Sequence, residues 1–194
     1  PDKYAPILGE NPVLVPEFEP ELVVTADVAA EGLFGKSLAS YAHRVDVSID
    51  HHPSNTYYAE MNYVNPKAAA TGEIIYDLLR ELGAEISRDI AICLYVSIST
   101  DTGGFHFSNT TANTLAIASE LYKVVGSFED INRILFLEKS KSQVELERLA
   151  YDSMQYYRDG TVSVITISIE NLNKVGATGD DTEALSNIPR YIKG

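Results

Sequence analysis

Apolar and polar residues along this chain follow two periods, and the switches between them mark its elements. Leu22-Val23-Val24-Thr25-Ala26 is a short apolar run that ends in Asp27. Such a run fits a strand buried on both faces of a parallel sheet. Val45, Val47 and Ile49 then alternate with Asp46 and Ser48, which predicts a second strand. It stops at His51 or His52, because Pro53 has no N–H to give a sheet ladder. Residues 33–42 read as the helix between the two. Strand, helix and strand form a βαβ unit, whose handedness brings Asp27 and His51 to the same edge of the sheet.

The pattern continues with a strand within residues 57–64 and a break at Asn65-Pro66. A helical period runs from Ala68 to Leu82, with Ile74, Ile75, Leu78, Leu79 and Leu82 on one face and Gly83 as its stop. Ser87 caps a further helix whose stripe is Ile90, Ala91, Leu94 and Tyr95. Helices follow over 111–125, 128–137 (capped by Ser127) and 141–158, the last carrying Val144, Leu146, Leu149 and Met154. After the turn Asp159-Gly160 come a strand over 161–168 and short helices over 170–175 and 180–188. Residues 1–20 are proline-rich and irregular. The fold class expected is α/β: a mainly parallel sheet flanked by helices over residues 1–158, then the start of a smaller α+β domain over 159–194.

Composition narrows the setting. With 45% hydrophobic residues among 194, the chain can bury a sizeable core. No apolar run approaches the roughly 18 residues of a membrane span, and residues 1–5 lack the pattern of a signal peptide. The single cysteine, Cys93, excludes an intrachain disulfide and points to a reducing cytoplasm. It lies in an apolar segment and is expected in the core. A net charge of −13 disfavours a long double-stranded nucleic-acid footprint, which needs phosphates neutralised by Lys and Arg. A small phosphorylated substrate held through metal ions stays compatible, because the ions bring their own positive charge.

Two polar stretches carry the candidate chemistry. Asp50-His51-His52 sits at the carboxyl end of a strand, where ligands bind in open α/β sheets. Neutral imidazoles ligate transition metals, and a nearby carboxylate can orient the ring. A polar turn at a strand end is the other reading of these residues taken alone. The second stretch, Ser97 to Thr111, contains Asp101, the pair Gly103-Gly104, His106 and several hydroxyls. Its glycines permit close approach of backbone to a ligand, or a plain turn leading into a Thr-capped helix.

Five segments occur together in order: Val24-Thr25-Ala26-Asp27, Ile49-Asp50-His51-His52-Pro53-Ser54-Asn55, Ala69-Ala70-Thr71-Gly72-Glu73-Ile74-Ile75, Ser99-Thr100-Asp101-Thr102-Gly103 and Phe107-Ser108-Asn109-Thr110-Thr111. In this the chain resembles the DHH-type phosphoesterases, of the subgroup with oligoribonuclease and 3′-phosphoadenosine-5′-phosphate phosphatase activity. The resemblance covers about residues 22–158, and residues 160–194 resemble the beginning of the DHH-associated domain. It implies two divalent ions, usually Mn2+, with Asp27 bridging them and His51 and Asp101 as ligands of the second. It implies that His52 faces the scissile phosphate and that Asp50 supports the motif. Ser108 and Asn109 are implied substrate contacts, on short RNA or a small phosphorylated nucleotide; His106 stands where relatives often carry Arg, and either takes over a phosphate contact or is merely exposed. A homodimer stays open.

Two departures accompany the resemblance. The family's first motif, a His with two acids, is not found before Asp27, and its glycine-rich stretch ending in His is not found before residue 194. An internal portion of a longer enzyme, inactive by itself, is the expectation drawn from this. Two other activities stay open: a manganese-type inorganic pyrophosphatase, and a non-catalytic nucleotide-binding module.

Overall fold

The computed structural model describes residues 4–9 and 18–193, with the side chains of Leu8 and Glu183 set aside. Most of the lead-in over residues 1–20 lies outside the described residues; within it, α1 (Ala5–Leu8) is one helical turn. The chain divides into two compact units, Asp2–Phe136 and Leu137–Gly194.

The first unit is built on three parallel strands, β1 (Val24–Ala26), β2 (Val47–Asp50) and β3 (Met61–Val64), in that spatial order. Val24 pairs with Val47, and Val47 with Met61. The parallel β1–β2 pairing expected from the two apolar runs is therefore present. The crossover between them is not an α-helix. Residues Glu31–Leu33 and Ala39–Arg44 form 3₁₀ turns instead. Gly32 and Gly35 explain this, since glycine weakens a helix interior by about 1 kcal/mol relative to alanine.

Nor is β1 buried on both faces. Thr25 is 7% exposed, whereas Val24 is 51% exposed, so the strand hides alternate residues. Side chains in register share a face of a parallel sheet. Val24 and Met61 occupy one cross-strand row and Ala26, Ile49 and Tyr63 the next. Val24, Met61 and Tyr63 are exposed on that face.

The helices α2 (Thr71–Glu81), α3 (Arg88–Asp101), α4 (Ala112–Val125) and α5 (Glu129–Asn132) complete the unit. Ser87 caps α3 by accepting from the Ile90 N–H, and Thr111 forms a capping box with Thr114 on α4. Gly83 ends α2 with a φ of +66°, a backbone region open to glycine at little cost. The core lies among these helices: Ala70, Ala91, Leu94, Tyr95, Ile98, Ile117, Leu121, Val125 and Phe128. Tyr95 stacks on Phe128 with ring centroids 3.7 Å apart. Each fully buried large side chain of this kind stabilises the unit by about 1.5–3 kcal/mol. Two expectations fail here. Leu78 and Leu82 are exposed, so the apolar stripe of α2 is narrower than the sequence period implied. Cys93 is also exposed, because α3 turns its Ala91 and Leu94 inward instead.

The second unit contains α6 (Lys141–Asp152), a hairpin of β4 (Gln155–Tyr157) and β5 (Val162–Val164), α7 (Ile169–Val175) and a 3₁₀ segment, Asp180–Tyr191. Its core is Leu146, Ala150, Leu185 and Ile188. This unit begins at Leu137. The long helix expected over 141–158 stops early. Tyr156 and Tyr157 favour a strand, and Arg158 and Asp159 take φ values of +50° and +54° that reverse the chain into β5.

Candidate active site

Every expected metal-ligating residue meets at one place, the carboxyl edge of the three-stranded sheet. Asp27 follows β1, Asp50 ends β2, and His51 and His52 follow directly. Asp101 is the last residue of α3. Asp27 has a φ of +65°, a left-handed conformation that costs a residue with a side chain about 1 kcal/mol or more. Its N–H still donates to Ile49 O at 3.0 Å, and its carboxylate Oδ1 accepts from Thr71 Oγ1 at 2.8 Å.

Asp50 is the anchor of the corner. Its side chain is fully buried. Oδ1 accepts from the His51 N–H (2.8 Å), the His52 N–H (3.3 Å) and His52 Nδ1 (2.7 Å), and Oδ2 accepts from Asn55 Nδ2 (2.7 Å). Burial by itself raises the Asp50 pKa. The bonds from Asn55, from the His52 ring and from the two backbone N–H groups outweigh it, and the carboxyl is held below the usual carboxylate range. The same bond from His52 to Asp50 raises the imidazole pKa against the effect of its own burial, with Asp50, Asp27 and Asp101 adding attraction.

The two histidines differ in which nitrogen they leave available. His51 Nδ1 lies 3.2 Å from Ala68 O. A carbonyl only accepts, so Nδ1 carries a proton, and in the neutral ring Nε2 then presents a lone pair. That nitrogen faces Asp101 Oδ2 at 3.4 Å and Asp27 Oδ1 at 3.7 Å. His52 Nδ1–H is given to Asp50, which leaves its Nε2 for another partner. Asp101 closes the cluster from the helical side. Its side chain is 31% exposed, and it ends a helix, where the dipole disfavours an anion. Burial first and Asp27 second raise its pKa, against the lowering effect of His51 and His52.

His51 Nε2 lies near one oxygen of each of two carboxylates, Asp27 and Asp101, and an imidazole with carboxylates is a donor set that a divalent cation satisfies. Asp27, His51 and His52 can also each offer an atom within 4.8 Å of the others. Among the described ion pairs of the cluster the only cationic partners are histidines. The residues therefore fit a divalent metal.

The loop after Asp101 is tightly tied. Gly103, Gly104 and Phe105 have φ values of +56°, +65° and +69°. A Cβ on Gly103 would meet the Phe107 ring at 2.5 Å, so both the backbone and the space require glycine there. The Asn109 amide donates to Ala69 O and to Asp101 O, each at 3.1 Å. His106 is exposed with Nδ1 on Gly103 O at 3.0 Å, and Ser108 is exposed beside it. Neither is bonded to the Asp–His cluster among the described residues. Sequence reasoning assigned no role to Thr71 or Asn55. Thr71 joins the site across 44 positions, which no local pattern reports. Asn55 follows Asp50 in the turn Pro53-Ser54-Asn55, an Asx-type signal that was available in the sequence.

A parallel sheet with acids and histidines at its carboxyl edge defines a class of α/β proteins that handle small ligands at that edge. The model of the DHH family, N-terminal domain, matches residues 2–98, and the chain belongs to this family. It is 32% identical over 146 residues to the probable bifunctional oligoribonuclease and PAP phosphatase NrnA of Streptococcus mutans, covering 75% of this chain and 46% of that protein. Against the bifunctional oligoribonuclease and PAP phosphatase NrnA of Bacillus subtilis it is 29% identical, covering 91% of this chain and 56% of that one. The crystal structure of an exopolyphosphatase-related protein from Bacteroides fragilis matches with a TM-score of 0.81 at 26% identity, over 90% of this chain and 53% of that chain. The chain spans about half the length of the curated relatives it matches.

Proposed function

We propose that this chain carries the metal-holding part of a phosphoesterase acting on short oligoribonucleotides, on the 3′-phosphate of a small nucleotide, or on both. The observation that supports this best is the convergence of the His51 Nε2 lone pair with Asp27 and Asp101 at 3.7 and 3.4 Å. Relatives named for both activities support the substrate class. Asp27, His51 and Asp101 would hold the ion, and mixed imidazole and carboxylate donors suit Mn2+. A bound ion would supply positive charge at the phosphate and a more acidic water.

The residues around it divide the remaining work. Ala68 O fixes the His51 tautomer, so that Nε2 stays unprotonated toward the ion. Asp50 holds His52 Nδ1–H, leaving Nε2 for a phosphate oxygen, and the raised pKa of His52 favours a proton on that atom for the developing charge. Asn109, spent on Ala69 O and Asp101 O, serves the position of Asp101 rather than a substrate. We place the protein in a reducing cytoplasm on its single cysteine; among the described residues no helix is long and apolar enough to cross a membrane.

The test is a substrate panel on the longest natural reading frame that contains this chain, with Mn2+: a diribonucleotide, 3′-phosphoadenosine 5′-phosphate and pyrophosphate. Turnover of either of the first two, abolished by EDTA and restored by Mn2+, is expected. Turnover of pyrophosphate alone would replace this reading with a pyrophosphatase. In the same protein His52→Ala should lower turnover about 10²–10³-fold, the range for removing one positioned donor, while Mn2+ content stays within threefold. A variant that loses metal and activity together would make His52 a ligand.

A further inference from the structure

One hexapeptide, Ala68-Ala69-Ala70-Thr71-Gly72-Glu73, reaches each part of the site by a different contact. Ala68 O orients the His51 ring. Ala69 O accepts from Asn109, which also holds the backbone of Asp101. Thr71 Oγ1 donates to Asp27 Oδ1 at 2.8 Å. The buried Glu73 accepts a short bond from Thr114 in the capping box of α4. These contacts join β1, the corner after β2, the end of α3 and the start of α4 to the first turn of α2.

Within this hub Thr71 has a special place. It is 3% exposed, so its hydroxyl is largely shielded from water. Its acceptor, Asp27 Oδ1, is also the oxygen that lies 3.7 Å from both His51 Nε2 and His52 Nδ1. Asp27 stands on a left-handed backbone at the end of an exposed strand, and its side chain is 49% exposed. Left to itself, such a carboxylate would turn freely toward solvent. The bond from Thr71 selects the rotamer that puts Oδ1 between the two histidines and leaves its second lone pair for an ion.

We propose that Thr71 is a positioning residue that sets the ion-facing oxygen of Asp27, and that the segment 68–73 transmits this alignment to His51 and Asp101; the proposal rests on the metal-dependent reading above. A threonine at helix position N1 with a plain structural role would need only its methyl and its helical backbone. The proposal needs the hydroxyl.

The experiment compares Thr71→Val, Thr71→Ser and Asp27→Asn in the longest natural reading frame, with Mn2+ affinity read by electron paramagnetic resonance and folding by circular dichroism. Thr71→Val should weaken Mn2+ binding about 10–100-fold, the range for losing an orienting hydrogen bond behind a ligand, with an unchanged far-ultraviolet spectrum. Thr71→Ser should restore affinity to within about threefold of the natural protein. Equal Mn2+ affinity in Thr71→Val and the natural protein, with binding lost in Asp27→Asn, would overturn the role of Thr71 and leave the metal reading standing. Unchanged affinity in Asp27→Asn would overturn the metal reading itself. If Thr71→Val fails to fold, Thr71→Ser decides: an affinity loss there as large as 10-fold would show that the methyl, not the hydroxyl, matters.

Discussion

The corner after β2 and the end of α3 each bring one carboxylate to the site, and the two are treated in opposite ways. Asp50 has no exposed side-chain surface, yet it is the more acidic, because four hydrogen bonds reach its two oxygens. Asp101 keeps some exposed surface, yet burial first and the charge of Asp27 second raise its pKa, because the lowering effect of His51 and His52 is too small to offset them. Burial therefore does not separate structural acids from functional ones. The partners do. An acid surrounded by donors holds the chain in place, and an acid aimed at other acceptors is held ready for a cation.

The sharpest way to break this comparison is to delete each carboxylate and measure urea denaturation without metal. Asp50→Ala should lose about 3–5 kcal/mol, the usual cost of removing one partner from a buried charged network. The variant strands the Asn55 amide, the His52 ring and two backbone N–H groups together. A loss below about 1 kcal/mol would show that water replaces the carboxylate and that Asp50 is not an anchor.

Asp101→Asn should behave in the reverse sense. Removing a like charge beside Asp27 should leave stability unchanged or slightly higher, within about 1 kcal/mol, as for most partly exposed substitutions. Mn2+ affinity should fall at least 100-fold, since even the groups behind a ligand carry 10–100-fold. Titration calorimetry with Mn2+ beside the denaturation curve separates the two effects. A large stability loss without a change in affinity would make Asp101 structural and remove it from the site.

How much of this contrast can be read before the fold is known follows from the range of each interaction. The alternation around Val47 and Ile49, with Pro53 as a stop, places Asp50, His51 and His52 at a strand end, and Asp27 follows by the same logic. Asp101 is visible as an acid next to a glycine pair. Its place at the end of α3 depends on where a 14-residue helix stops, which periodicity alone leaves open. Thr71 and Asn109 act across 44 and 40 positions, so their contacts exist only once α2 has docked. Errors of the opposite kind come from local strength being overridden. Leu78 and Leu82 have the right spacing for a buried stripe and remain exposed. Tyr156 and Tyr157 continue a helical pattern and pair with Ser163 and Val162 instead.

The smallest expected effect, and the one that tests the comparison most directly, is in the pH dependence of metal-free stability. Asp50 has a folded-state pKa below its unfolded value, so the stability it contributes is present above the unfolded carboxylate range, near pH 4, and is lost as pH falls through the folded value. Asp101 has a folded-state pKa above its unfolded value. The folded protein then binds its proton more tightly, so its ionisation costs stability at neutral pH, and that cost disappears on acidification through the raised value. Difference curves isolate each group from the other carboxylates. The gap between the natural protein and Asp50→Asn should widen as pH falls through the histidine range, about 6.5, because the variant also loses the bond that raises the His52 pKa, and it should close only below the ordinary carboxylate range. Any advantage of Asp101→Asn over the natural protein should be greatest at pH 7 and should shrink first, at higher pH than the Asp50 gap begins to close. Curves that close in the same window would mean that the two acids share one environment, and the distinction between anchor and ligand would fall with it.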